Sequence, residues 1–274
     1  MVKQALCLTV LLAIAASAAY ARGLFDSEAD FLWELSCDGS SVVITGYTGT
    51  GTDIWIPPRI QGLPVSGIGN HAFSEEGMGE GFVQASRQFT SVILPNTLTH
   101  IEEEAFRGSL LSAITIPASV SYISLMAFCS NRLHCVRIAN GATHIGDWAF
   151  CCNQIASVDF GDTITHIGTG AFADNLLESV VIGSGVTYIE AGTFAGNRLA
   201  SVLIPDNVIF IGAGAFANSP LASVTIGGNV AIDRGGFSRY SNFFGTSFAE
   251  FYESQGRRAG VYTYFGGEWS VEFR

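Results

Sequence analysis

Charge is what this chain has least of. Only 14% of its 274 residues are Asp, Glu, Lys or Arg, against about a quarter in an average soluble domain. With 48% of residues hydrophobic, this excludes a disordered chain, which needs high charge and low hydrophobicity. Lysine occurs once, at Lys3, so beyond it arginine is the only strong base. A net charge of -11 and a pI near 4.8 make nucleic acid and anionic membranes poor partners. Proline is scarce, at 7 residues, and glycine, at 32, falls far short of one in three, so the chain is no collagen. The sequence contains no GxSxG, HExxH or P-loop pattern. Glu102-Glu103-Glu104 reads as a solvated edge rather than a set of catalytic carboxylates. No catalytic residue, metal ligand set or cofactor is expected.

Met1 to Ala21 reads MVKQALCLTVLLAIAASAAYA. One lysine, an apolar run and small residues form the pattern of a secretory signal. Cleavage fits after Ala19-Tyr20-Ala21, with Ala16-Ser17-Ala18 as the competing site. The apolar run from Ala5 to Ala19 is shorter than the ~20 residues a membrane-spanning helix needs. The expectation is an exported chain with no integral membrane segment once the signal is removed.

The middle of the chain is an array of 22-residue repeats. Phenylalanine recurs at 106, 128, 150, 172, 194 and 216. Five residues after each comes Leu111, Leu133, Ile155, Leu177, Leu199 or Leu221, with Phe89 in the matching place one repeat earlier. Counting that residue as position 0, position 3 is Val92, Ile114, Val136, Val158, Val180, Val202 and Val224, and position 12 is isoleucine from Ile101 to Ile211. An earlier copy runs from Ile54 to Phe73, separated from the rest by an insertion near 74–88.

Each column has a physical meaning. Apolar residues at 0, 3 and 5 form a short strand whose positions 3 and 5 share one face, and Pro or Gly at position 6 ends it. A second extended piece covers positions 9 to 12. Gly146, Gly168 and Gly212 at position 13 suit a tight turn. Alanine or threonine beside each phenylalanine lets successive rings stack. A single unit cannot bury enough apolar surface to offset its own ordering, so neighbouring turns must supply the rest.

The unit IPxxVTxIGxxAF, seen as IPASVSYISLMAF (116–128) and IPDNVIFIGAGAF (204–216), closely resembles the BspA-like, or Treponema-type, leucine-rich repeat family. The resemblance covers roughly residues 40 to 232. It implies a β-rich solenoid, a right-handed leucine-rich-repeat coil. It also implies an exported or cell-surface, adhesin-like protein of a host-associated microbe that binds an extracellular-matrix, serum or partner-cell protein. The family often carries Cys at position 20, where this chain has Asn131, Asn153, Asn175 and Asn197. These asparagines are expected to bond turn backbone along the stack.

The resulting division is a signal peptide (1–21), an N-terminal cap (22–50), the solenoid (51–232) and a C-terminal cap (233–274). Asp38-Gly39 between apolar runs predicts a hairpin in the first cap. Phe248, Phe251 and Tyr252 predict a short helix in the second, leading into two strands around Gly266-Gly267.

Cys129 and Cys151 share position 18 on successive turns, a separation that suits a disulfide. Buried thiols are the alternative. His144 and His166 share position 11 and read as members of an outward aromatic column rather than metal ligands. Positions 2 and 4 point away from the core. Position 2 is small throughout, whereas position 4 varies through Ile93, Thr115, Arg137, Asp159, Val181, Leu203 and Thr225. That row is the expected partner-binding surface. The expectation is a monomeric or weakly self-associating binding module. The alternative is a coat protein that assembles with its own copies.

Overall fold

The computed structural model describes residues 25–74, 89–233 and 246–274. The expected signal segment 1–21, nearly all of the insertion near 74–88 and the stretch 234–245 lie outside the described residues. The remainder is the expected β-solenoid, each turn of which contributes to three walls.

The first wall holds positions 2 to 5. Ala113–Ile116, Cys135–Ile138 and Ser157–Asp159 pair in parallel, with Val136 against Ile114 and Val158. Ser201–Leu203 and Ser223–Ile226 form a second parallel pair. The second wall is built from two-residue strands at positions 11 and 12, with the last, Ala231–Ile232, arriving one residue early. His100–Ile101, Tyr122–Ile123, His144–Ile145 and His166–Ile167 lie side by side, as do Tyr188–Ile189, Phe210–Ile211 and Ala231–Ile232. One apolar cluster runs through the coil from Phe31 to Tyr262. Inside it the rings of Phe73, Phe106, Phe128 and Phe150 are stacked at centroid distances of 4.9, 5.2 and 5.2 Å.

The third wall, positions 13 to 20, is bonded in one direction. Met126, Phe128 and Ser130 donate their N–H groups to the carbonyls of Asp147, Ala149 and Cys151 on the next turn, at 2.9, 2.8 and 3.0 Å. Trp148, Phe150 and Cys152 do the same toward Thr169, Ala171 and Ala173. Two columns adopt left-handed backbone to make this possible. Glu104, Met126 and Trp148 do so at position 15, and Ser130, Cys152 and Asp174 at position 19, all with φ between 52° and 58°. Each such non-glycine residue costs roughly 1–2 kcal/mol, which the ladder bonds must offset.

The position-13 glycines do something other than turn the chain. A Cβ on Gly146 would stand 2.8 Å from the Ser124 carbonyl carbon, and one on Gly212 2.6 Å from the Ala191 nitrogen. They permit close approach between turns. The turning itself falls to positions 15 and 19.

Asparagine side chains tie the third wall to the first. Asn131, Asn153, Asn175 and Asn197, at position 20, each accept the N–H of position 0 of their own repeat, at 2.9–3.0 Å. Their amide nitrogens donate to phenylalanine carbonyls of two adjacent turns. A buried backbone group must find a partner, and here one side chain serves three.

Both ends are closed by antiparallel hairpins, which cover sheet edges that would otherwise stay open. Phe31–Leu35 pairs with Val42–Tyr47 at the first end, and the buried Tyr47 ring packs on Phe31, Phe73 and Phe89. At the other end a helix, Thr246–Ser254, sets Phe248 against Tyr262 and Trp269. The hairpin of Gly260–Phe265 and Glu268–Phe273 then continues the first wall.

The first wall parts once between Ser91–Ile93 and Ala113–Ile116, where the second wall runs on unbroken, but at a later seam both walls part together. His166–Ile167 pairs only backward and Tyr188–Ile189 only forward, and the first wall stops at Ser157–Asp159 and resumes at Ser201–Leu203. Two side chains larger than their columns flank this junction. Phe160 stands where other repeats have Leu or Ile, its ring edge-on to Phe172 at 5.1 Å. Thr193 replaces the alanine of position 16. The Phe172–Phe194 spacing widens to 6.0 Å. The third wall stays intact across the seam, with Phe172 N–H on Thr193 O at 2.9 Å and Asp174 N–H on Ala195 O at 2.8 Å.

Candidate binding face

Strand alternation turns position 4 outward on the first wall, because successive side chains point to opposite faces. Register then places these side chains in line across turns: Thr115 faces Arg137, and Arg137 faces Asp159. Val181 holds position 4 inside the seam, outside any strand, and Leu203 resumes the row beyond it. Val181 is 81% exposed and Leu203 58%. Ser157, Ser179 and Ser201 at position 2 are also exposed, so small hydroxyls border the larger side chains. The middle of the row thus offers a cation, an anion and two aliphatic groups in sequence.

The ends of the row are different. Ile93 is only 8% exposed, beside its register partner Trp55, so a residue proposed to touch a partner is largely out of reach of one. Thr115 is half-buried, with its hydroxyl enclosed and without a hydrogen-bond partner. Thr225 is half-buried too, because the capping strand runs alongside it with Val261 in register. The open surface therefore runs from Arg137 to Leu203. The sequence pattern alone gives no sign of this, since the covering at Thr225 comes from residues some forty positions away.

The outward column of position 11 is a set of neighbouring rings. His144 and His166 lie 5.4 Å apart between centroids, and Tyr122 lies 5.9 Å from His144. Thr143 Oγ1 is 2.9 Å from His144 Nδ1. Among the described residues no third ligating side chain joins the two histidines. The structure joins Cys129 to Cys151 as a disulfide, with Cα atoms 4.8 Å apart, on the third wall and away from the open row. Cys37 and Cys152 are exposed free thiols. Glu102 Oε2 accepts the N–H of Asn70 at 3.0 Å and so serves the first turns structurally.

Comparison with known proteins gives this arrangement a lineage. Six copies of the model for the BspA type leucine rich repeat region match the chain, over residues 76–198 and 165–259. No curated protein matches it in sequence. Among solved structures, a leucine rich repeat protein of T. pallidum is 25% identical with a TM-score of 0.58, covering 71% of this chain and 89% of its own. A leucine rich cell surface protein of Faecalibacterium prausnitzii is 24% identical with a TM-score of 0.49; the match covers 74% of this chain and 54% of that one. A leucine-rich repeat protein of Bacteroides ovatus is 21% identical, with a TM-score of 0.44, 74% of this chain and 65% of that one covered.

Proposed function

Because the chain belongs to the BspA-type leucine-rich repeat family, we propose that it is an exported, non-catalytic module that binds another protein at the cell surface, in the manner of an adhesin. Its partner meets the first wall between Arg137 and Leu203. The observation that carries this reading is the exposure of Val181 and Leu203 at the same repeat position as Arg137 and Asp159, which lie in register with each other. Large aliphatic side chains left open near charged ones are the usual makings of an interface core and its polar rim. Nothing inside the coil requires those side chains, since the core is filled from other columns, among them positions 0, 3, 5, 9, 12 and 17.

Export is supported by the first 21 residues. With Lys3 removed alongside them, the charge of -11 becomes -12. An acidic skin favours encounter with a basic patch on the partner. The matrix and serum proteins that family resemblance suggests form the panel to test. Immobilised extracellular-matrix and serum proteins are incubated with the chain lacking residues 1–21. Saturable capture that Val181→Asp and Leu203→Asp both abolish supports the proposal. Capture indifferent to both, or none across the panel, counts against it.

Assembly with copies of itself is the competing reading. Sedimentation at high protein concentration separates the two, because a monomer there leaves the coat-protein reading without support.

A further inference from the structure

Three sulfur atoms gather on the third wall, away from the open row. Cys129 and Cys151 occupy position 18 on successive turns, 6% and 3% exposed, and are bonded to one another. Cys152 comes next in the left-handed column and is an exposed free thiol. All three Sγ atoms lie within 4.8 Å of one another. The geometry points to a thiol–disulfide exchange site, in which the Cys152 thiolate attacks Cys129 Sγ and moves the bridge from Cys129–Cys151 to Cys129–Cys152.

The step balances internally. A bond forms between Cys152 and Cys129, the Cys129–Cys151 bond breaks, and Cys151 departs with the electron pair and takes a proton from water. One disulfide and one thiol stand on each side, so no oxidant or reductant is consumed. Attack on Cys151 instead would close a ring between adjacent residues, whereas attack on Cys129 joins neighbouring turns as the existing bridge does. Exchange moves the free thiol from an exposed position to one that is 3% exposed. The site therefore governs whether the chain presents a reactive sulfur to its surroundings.

The surroundings favour the internal route. Ala173, Met126 and Trp148 pack on Cys129 and Cys151, which restricts attack by outside thiols. Ser130 N–H on Cys151 O and Cys152 N–H on Ala173 O, both at 3.0 Å, hold the backbone while the sulfurs swap. Two groups face the sulfurs from adjoining positions: the Ser130 hydroxyl, 3.4 Å from Cys129 Sγ, and the Asp174 carboxylate. Burial, and then the charge of Asp174, push the Cys152 thiol up from its ordinary value. The thiolate is the nucleophile, so exchange is slow at neutral pH and accelerates as pH rises past the usual thiol range.

The test uses the full chain with Cys37→Ser, which removes the other exposed thiol, purified without reductant. Dilute protein is held at pH 7 and at pH 10, quenched in acid, and its linked peptides are mapped by mass spectrometry. The expected result is a Cys129–Cys152 linkage beside Cys129–Cys151, appearing sooner at pH 10. A second variant, Cys151→Ser, is expected to lose both remaining alkylatable thiols of the trio in glutathione disulfide, with an unchanged circular dichroism spectrum. A map holding only Cys129–Cys151 at every pH and time overturns the proposal. So does a folded Cys151→Ser chain that keeps Cys129 and Cys152 alkylatable.

Discussion

Asn153 Oδ1 accepts the Leu133 N–H at 3.0 Å, across a sequence separation of twenty residues. Its amide nitrogen meanwhile donates to Phe128 O at 2.9 Å and Phe150 O at 3.1 Å. Asn153→Ala strands buried backbone groups on two turns. Urea unfolding is expected to show a loss of about 2–4 kcal/mol, the scale of leaving such groups unpaired. Asn153→Asp should also destabilise, because a carboxylate cannot donate. A loss below about half a kcal/mol in both, within the range of an ordinary surface change, would mean that the stacked rings hold the turns without this bond.

The seam between Ser157–Asp159 and Ser201–Leu203 is ascribed to the bulk of Phe160 and Thr193. Restoring the column residues with Phe160→Ile and Thr193→Ala is expected to close it. Amide hydrogen exchange at Val180 to Ile182 and Tyr188 to Glu190 should slow, while exchange on the third wall stays the same. Unchanged exchange in the double variant would separate the seam from those two side chains.

The binding row predicts a split between affinity and stability. Arg137→Glu with Leu203→Asp should weaken a captured partner by about 30-fold or more, the size of an interface hot spot of about 2 kcal/mol. Exposed substitutions usually change stability by less than about 0.5 kcal/mol, so the unfolding midpoint should barely move. Equal affinity for variant and parent would place the contact elsewhere.

Tyr262 reports on the C-terminal cap. Its hydroxyl donates to Arg258 O at 2.8 Å. Burial, and then the neighbouring Tyr252, push its pKa up to about 12 from 10.0. The folded chain therefore favours the neutral phenol. That contribution is complete below pH 10 and is lost as pH rises from 10 toward 12. Burial also raises the Tyr252 phenol, so ultraviolet titration of phenolate should show two tyrosines lagging in the folded chain, and Tyr262→Phe should shrink the lag by one tyrosine. An unchanged lag in that variant would assign it to other tyrosines.

The period, the ring stack, the asparagine bonds and both hairpin caps were legible because each depends on residue type at a fixed spacing. The left-handed columns were half announced. Gly170, Gly192 and Gly214 at position 15, and Gly108, Gly196, Asn218 and Asp174 at position 19, are residue types that tolerate positive φ, whereas Glu104, Met126, Trp148 and Cys152 carry no such preference and are held there by the interturn bonds. Phe160 and Thr193 were visible as departures from their columns, but their mechanical effect appears only when both walls are seen to part at one junction. The outward row was readable from alternation. Its shortening to Arg137–Leu203 was not, because the cap that covers Thr225 arrives from a distant part of the chain.

The one-way bonding of the third wall has a consequence for how such a chain can change. The five turns that begin at Glu104, Met126, Trp148, Gly170 and Gly192 each offer the same three donors to the turn ahead, supplied by backbone and therefore indifferent to the side chains displayed on the first wall. Recognition and cohesion are thereby uncoupled. A whole period of 22 residues can be excised or duplicated and the flanking turns still mate, while residues such as Arg137 and Val181 drift freely under the demands of whatever they meet.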